Sequence, residues 1–131
     1  GMRVAATAEQ IGIRCGRRIH GLYTITKEDV AAGRRFDDAV TESRFGVDIH
    51  ASDFESNKKE TIGRGGIRFR PFQIPLRSLI AKDADNLFMA GRCISGDFVP
   101  HGSYRVTGSA VAMGEAIGVH AAKVASQAGV S

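Results

Sequence analysis

An α+β fold, with mostly antiparallel short strands followed by a strand, a loop and one long helix, is predicted by three features of the 131-residue chain. Up to residue 80, brief β-branched and aromatic stretches alternate with glycine and proline. The connections between them are too short for repeated helical crossovers, which favours antiparallel pairing. From residue 105 to 125 the apolar positions instead recur every three or four residues, the period of a helix.

The segment "RRIHGLYTI" (17–25) predicts a strand with a bulge or a close backbone approach at Gly21. Thr26, with Asp29 three positions on, reads as an N-cap and its acidic partner, and Gly33 as the stop of a short helix at about 27–32. "FGVDIHA" (45–51) and "IRFRPFQIPL" (67–76) alternate apolar and polar residues; Pro71 and Pro75 restrict the latter to an edge strand or two short strands meeting at a bulge. The polar, glycine-rich "SDFESNKKETIGRGG" between them reads as the least ordered interior loop.

After the turn cluster "KDADN", Leu87 to Ala90 predicts a short apolar strand, and a loop is expected from Gly91 to about Tyr104. The final helix aligns Val106, Ala110, Met113, Ile117, Ala121 and Val124. Gly114 and Gly118 inside it cost roughly 1 kcal/mol each relative to alanine, a cost expected where another backbone approaches. Gly129 falls beyond its end.

With 43% hydrophobic and 24% charged residues, the chain is expected to fold as one domain, 1–131. Within it, 11–80 forms a β-rich part and 81–126 the strand, loop and helix. A net charge of +4 admits a polyanionic partner without requiring one. No apolar run reaches the roughly 20 residues of a membrane span, and "GMRVAATAEQ" lacks a signal-peptide core, so a cytoplasmic protein is expected. Gly1 ahead of Met2 reads as the residue of a removed purification tag, with Met2 as the start. Cys15 and Cys93 show no metal-binding or dithiol spacing; both are expected to be free, and no metal site is expected.

A strand, a glycine loop and a helix start together form a generic site for anions and dipoles, because the first N–H groups of a helix lack internal partners. The wording of the chain is more specific. "RRIHGLYTITKEDVAAGRRFDDAV", "VDIHA", "IPLRSLI" and "DNLFMAGRCISGDFVPHGSYRVTGSAVAMGEAIGVHAA", in this order, resemble the C-terminal portion of the FAD-dependent oxidoreductase family. The resemblance covers about Ile11 to Ala125 and implies FAD as cofactor. It implies further that Gly91, Arg92, Cys93 and Ser95 line the flavin, with Ser103, Arg105, Val106 and Thr107 beside the ring at the helix start. Arg17, Arg18 and His50 match motifs of the β-rich substrate domain. His50, placed toward the substrate pocket by the resemblance, and His101, near the expected flavin edge, are the catalytic candidates; His50 reads equally as a structural histidine closing a strand, and His101 reads first as a loop residue.

The chain departs from that family where FAD's ADP half should bind. "IGRGGIR" places Arg68 where the third glycine of G-x-G-x-x-G belongs, and "AGRCISG" has the wrong spacing. Without pyrophosphate and adenosine contacts, the flavin end supplies a few kcal/mol, or millimolar affinity at best. The expected protein is therefore a C-terminal fragment, weak or empty in FAD and inactive alone. The alternatives are one half of a split flavoenzyme, completed by a chain with the ADP-binding domain, or a non-catalytic interaction module. A homodimer or such a partner chain is expected, because removing a Rossmann-type domain exposes apolar surface and strand edge. A nucleic-acid partner ranks last, since the arginines are interspersed with acids and no aromatic platform accompanies them.

Overall fold

The computed structural model describes residues 2–10, 12–49 and 68–129. Among these residues the chain forms three helices and a two-stranded antiparallel sheet, and it ends in the longest helix: an α+β arrangement.

Helix α1 (Lys27–Ala32) carries the reciprocal cap its sequence predicts. Thr26 Oγ1 accepts from the Asp29 N–H at 3.4 Å, and the Asp29 carboxylate accepts from the Thr26 N–H at 2.9 Å. Gly33 closes the helix at φ 64°, where a Cβ would also lie 2.9 Å from Arg70 Cβ, so conformation and space both demand glycine. Asp29 is almost fully buried and also accepts from Tyr23 Oη at 2.8 Å and pairs with Arg34 Nε at 2.9 Å. One carboxylate thereby ties the helix start to the segments on both sides.

Strand β1 (Ala39–Ser43), which the sequence did not announce, pairs antiparallel with β2 (Phe72–Pro75). Thr41 faces Ile74 and Ser43 faces Phe72, with an irregularity between Ala39 and Thr41. Asp38, just before β1, accepts from the Arg77 backbone N–H at 3.1 Å and from Arg77 Nε at 2.9 Å. Burial works to raise the pKa of Asp38, but these Arg77 hydrogen bonds and charge outweigh it and hold the carboxyl below its usual range.

The stretch 17–25 is not the expected strand. It makes single bridges, Gly21 to Ala81 and Ile25 to Gly96, because its hydrogen bonds alternate between two neighbours. Leu22 N–H donates to Ile80 at 3.0 Å, whereas Ile19 and Ile25 N–H donate to Cys93 and Ser95 at 2.9 and 3.2 Å. No continuous ladder can form against two partners at once. The close approach expected at Gly21 is present: a Cβ there would lie 2.7 Å from Ser95 Cβ. Among the described residues up to 80, regular strand is confined to β1 and β2. Residues 45–49 are irregular, and "SDFESNKKETIGRGG" lies outside the described residues.

Leu87 to Ala90 runs back along residues 79–81, with Met89 N–H donating to the Leu79 carbonyl at 2.8 Å and a single bridge between Ile80 and Phe88. Asn86 makes the preceding turn with φ 55°, a conformation asparagine tolerates. The expected loop from Gly91 to Tyr104 contains a 3-10 turn, Gly91–Cys93, and a second helix, α2 (Phe98–Tyr104). Pro100 fits there because the first-turn N–H it lacks would have no intrahelical partner.

Helix α3 (Thr107–Gln127) buries Met113 and Ile117, and Gly129 lies beyond it at φ 69°. The hydrophobic core joins Ile25 and Val30 to Phe72, Leu79, Tyr104 and Met113, so it draws on both ends of the chain.

Candidate functional site

The expected cofactor loop is built around Gly91. The chain arrives extended at Ala90 (φ −135°), turns left-handed at Gly91 (φ 77°), and completes a 3-10 turn at Cys93. A Cβ on Gly91 would lie 3.4 Å from Ala110 Cβ, so the turn rests on the first turns of α3. Arg92 points outward, with Nη1 donating to the Ile13 carbonyl at 2.5 Å. Cys93 is half-buried, its thiol donating to the Ala90 carbonyl at 3.3 Å.

The two serines spend their hydroxyls inside the protein. Ser95 Oγ lies 2.9 Å from Thr24 Oγ1, and its backbone N–H donates to the Ser78 carbonyl at 2.9 Å. Ser103 Oγ lies 2.8 Å from Ser43 Oγ and also bonds the Phe45 carbonyl. The Ser95 hydroxyl fastens the loop to the 17–25 stretch, and the Ser103 hydroxyl fastens α2 to the end of β1.

At the start of α3, Val106 occupies the N-cap without a capping side chain, and Thr107 and Gly108 are exposed. Arg105, immediately before, is mostly buried. Its Nη2 donates to the Asp48 carbonyl at 2.6 Å and lies 3.5 Å from the Asp48 carboxylate, while Nη1 sits 2.8 Å from Cys15 Sγ. Arg105 thus anchors residues 15 and 48 against the helix start.

His101 is helical rather than a loop residue, and it is fully buried in α2. Its ring meets the Tyr104 ring edge-on at 5.6 Å, and neither ring nitrogen has a well-formed hydrogen bond among the described residues. Burial, reinforced by the cations Arg18, Arg105 and Arg92 and only weakly opposed by the Arg92 backbone, pushes its pKa down to about 4. The ring is neutral at pH 7 and shielded from solvent. His50, the other candidate, lies outside the described residues, as do Gly63, Gly65 and Gly66.

Two clefts flank this loop. One, of about 240 Å³, is lined by Arg14, Cys15, Ile49, Phe98, Gly102 and Arg105. The other, of about 340 Å³, lies between the Ile13–Arg17 segment and the Gly91 turn. Arg14 belongs to both. The sequence assigns roles to Arg17, Arg18, Arg92 and Arg105 but none to Arg14 or to Asp48, which binds Arg14 at 2.7 Å. Among the described residues no cluster of three potential metal ligands exists, and no helix is long and apolar enough to cross a membrane.

The order of elements, a chain segment entering a glycine turn that lies on the first turns of a long helix, matches the wording that the sequence carries. No curated protein and no solved structure gives a significant match. The model of the family described as FAD dependent oxidoreductase matches residues 1–131, the whole chain. On that match, the chain belongs to the FAD dependent oxidoreductase family.

Proposed function

We propose that the chain supplies the flavin-ring end of an FAD-dependent oxidoreductase site and holds FAD only when another chain provides the ADP-binding half. The observation that carries this reading is the left-handed Gly91 turn seated against Ala110 beside the uncapped start of α3. Backbone can approach a planar ring closely at a glycine, and uncapped N–H groups at a helix start favour electron-rich atoms.

The residues fit a flavin edge through backbone rather than side chains. Gly91, Arg92 and Cys93 offer the turn, and Val106 and Thr107 the helix start. Ser95, Ser103 and Arg105 hold these segments in place, since their polar atoms already bond Thr24, Ser43 and Asp48. Bound FAD would supply two-electron redox chemistry. His101 is buried within α2 against Tyr104, and a fully buried neutral ring is a poor proton carrier.

The exposed face of α3 supports association with the second chain. Gly108, Val111, Gly114, Gly118 and Val119 are exposed whereas Met113 and Ile117 are buried, and Val111 and Val119 are 65% and 53% exposed. A non-catalytic interaction module remains the second reading, favoured by the same face.

An absorption spectrum with and without added FAD, taken alongside solution mass, tests the proposal. The chain alone should elute colourless, and flavin should be retained once a chain carrying G-x-G-x-x-G is co-purified. Retention of FAD by the chain alone through gel filtration overturns the half-site reading. Failure to retain flavin in any complex leaves the interaction module.

A further inference from the structure

We propose that the groove between residues 13–17 and the Gly91 turn is a binding site for a small oxyanion carrying two or more negative charges, a phosphate or a dicarboxylate. The groove is lined by Arg14, Arg17 and Arg92 together with Ile13, Gly16 and Cys93, and no acidic side chain lines it among the described residues. The adjoining cleft adds Arg105 through the shared Arg14 and has no acidic lining among the described residues either.

Charge balance makes the case. Asp48 is the carboxylate found on this cluster among the described residues, and it already serves both Arg14 at 2.7 Å and Arg105 at 3.5 Å. Arg92 spends one donor on a backbone carbonyl, which leaves its charge uncompensated. Arg17 and Arg18 have no carboxylate partner among the described residues. Several guanidinium groups gathered around a single described carboxylate repel one another, and an oxyanion accepting their paired N–H donors offsets that repulsion. A separate observation agrees: the buried His101 ring, with no well-formed partner, is held neutral in part by the charges of Arg18, Arg105 and Arg92, so these cations converge on one neighbourhood.

Arg92 is shared with the flavin reading, but anion binding does not depend on flavin. Calorimetric titration of the whole chain at low ionic strength, with inorganic pyrophosphate and separately with succinate, tests it. One saturable site is expected. Arg17→Gln, which removes a side chain without hydrogen bonds of its own among the described residues, should weaken binding at least threefold, and Arg92→Gln likewise. Arg35→Gln, whose partner is Glu42 on β1, should leave it unchanged. Tighter pyrophosphate binding supports the proposal with a phosphorylated ligand, and tighter succinate binding supports it with a carboxylate ligand. Absence of saturation with both anions, or equal weakening by Arg35→Gln, overturns it. Colourless protein that binds either anion separates this result from the outcome of the FAD experiment.

Discussion

Gly96 lies directly against the phenol of Tyr104: a Cβ at residue 96 would sit 2.7 Å from Tyr104 Oη and 2.8 Å from its Cε1. Tyr104 is fully buried, and its hydroxyl reaches the Ile94 carbonyl at 3.4 Å. Burial, the largest influence, holds that hydroxyl protonated well above the usual tyrosine range. The contact clamps the loop after the Gly91 turn onto α2.

Gly96→Ala should therefore cost about 1–3 kcal/mol in urea unfolding, the range for forcing extra volume into a packed site. Tyr104→Phe removes the nearer contact atom, so the double variant should lose less than the sum of the two single losses. Strict additivity would mean that the loop moves away from the ring instead of straining against it.

Gly91→Ala should cost about 1–2 kcal/mol for backbone reasons, since φ is 77° and alanine disfavours the left-handed region. The new Cβ would meet Ala110 only at ordinary contact distance, 3.4 Å. Gly91→Asn should cost less than Gly91→Ala, because asparagine tolerates that conformation. The reverse order, measured by chemical denaturation, would make crowding against α3 the cause.

His101 gives stability a specific pH dependence. Its pKa is depressed to about 4 in the folded chain against an ordinary 6.5, so between these values the unfolded chain binds a proton that the folded one refuses. Stability is therefore complete above pH 6.5 and falls as pH drops toward 4, by up to about 3 kcal/mol. His101→Phe leaves no buried ring nitrogen without a partner, so it should flatten this window. Denaturation midpoints at pH 4.5, 5.5 and 7 that shift equally in both proteins would remove His101 as the cause. Asp38 and Glu42, both held below the usual carboxyl range, contribute stability that is lost at lower pH.

Gly114 and Gly118 lie on the exposed side of α3 with no described atom within 4 Å of a Cβ built there. The close approach that the sequence implied is not made within the described part of this chain. Gly114→Ala should thus stabilise the isolated chain by about 0.5–1 kcal/mol. If a partner helix packs on this face, the same variant should weaken association, which sedimentation would register.

The signals legible in the sequence were those complete within a few residues. Thr26, Asp29 and Gly33 satisfy the orphan N–H and carbonyl groups of α1 locally, and the three-to-four spacing of apolar residues marks α3 wherever it packs. The Gly91 turn was readable too, because an apolar run ending at glycine restricts the backbone on its own. Helix α2 was hidden by Pro100 and Gly102, and it forms because burial of Pro100 through Tyr104 outweighs weak propensity. The stretch 17–25 had a strand's composition, yet two competing neighbours left it only single bridges. Nor could spacing reveal which site side chains are already engaged. Ser95 meets Thr24 across 71 positions of chain, Ser103 meets Ser43 across 60, and Arg105 meets Asp48 across 57. The sequence by itself thus determined the caps, the long helix and the glycine turn, whose energetics are local. Tertiary structure alone decided which hydroxyls fasten the loop and where the arginines gather, because those contacts exist only after distant segments have packed.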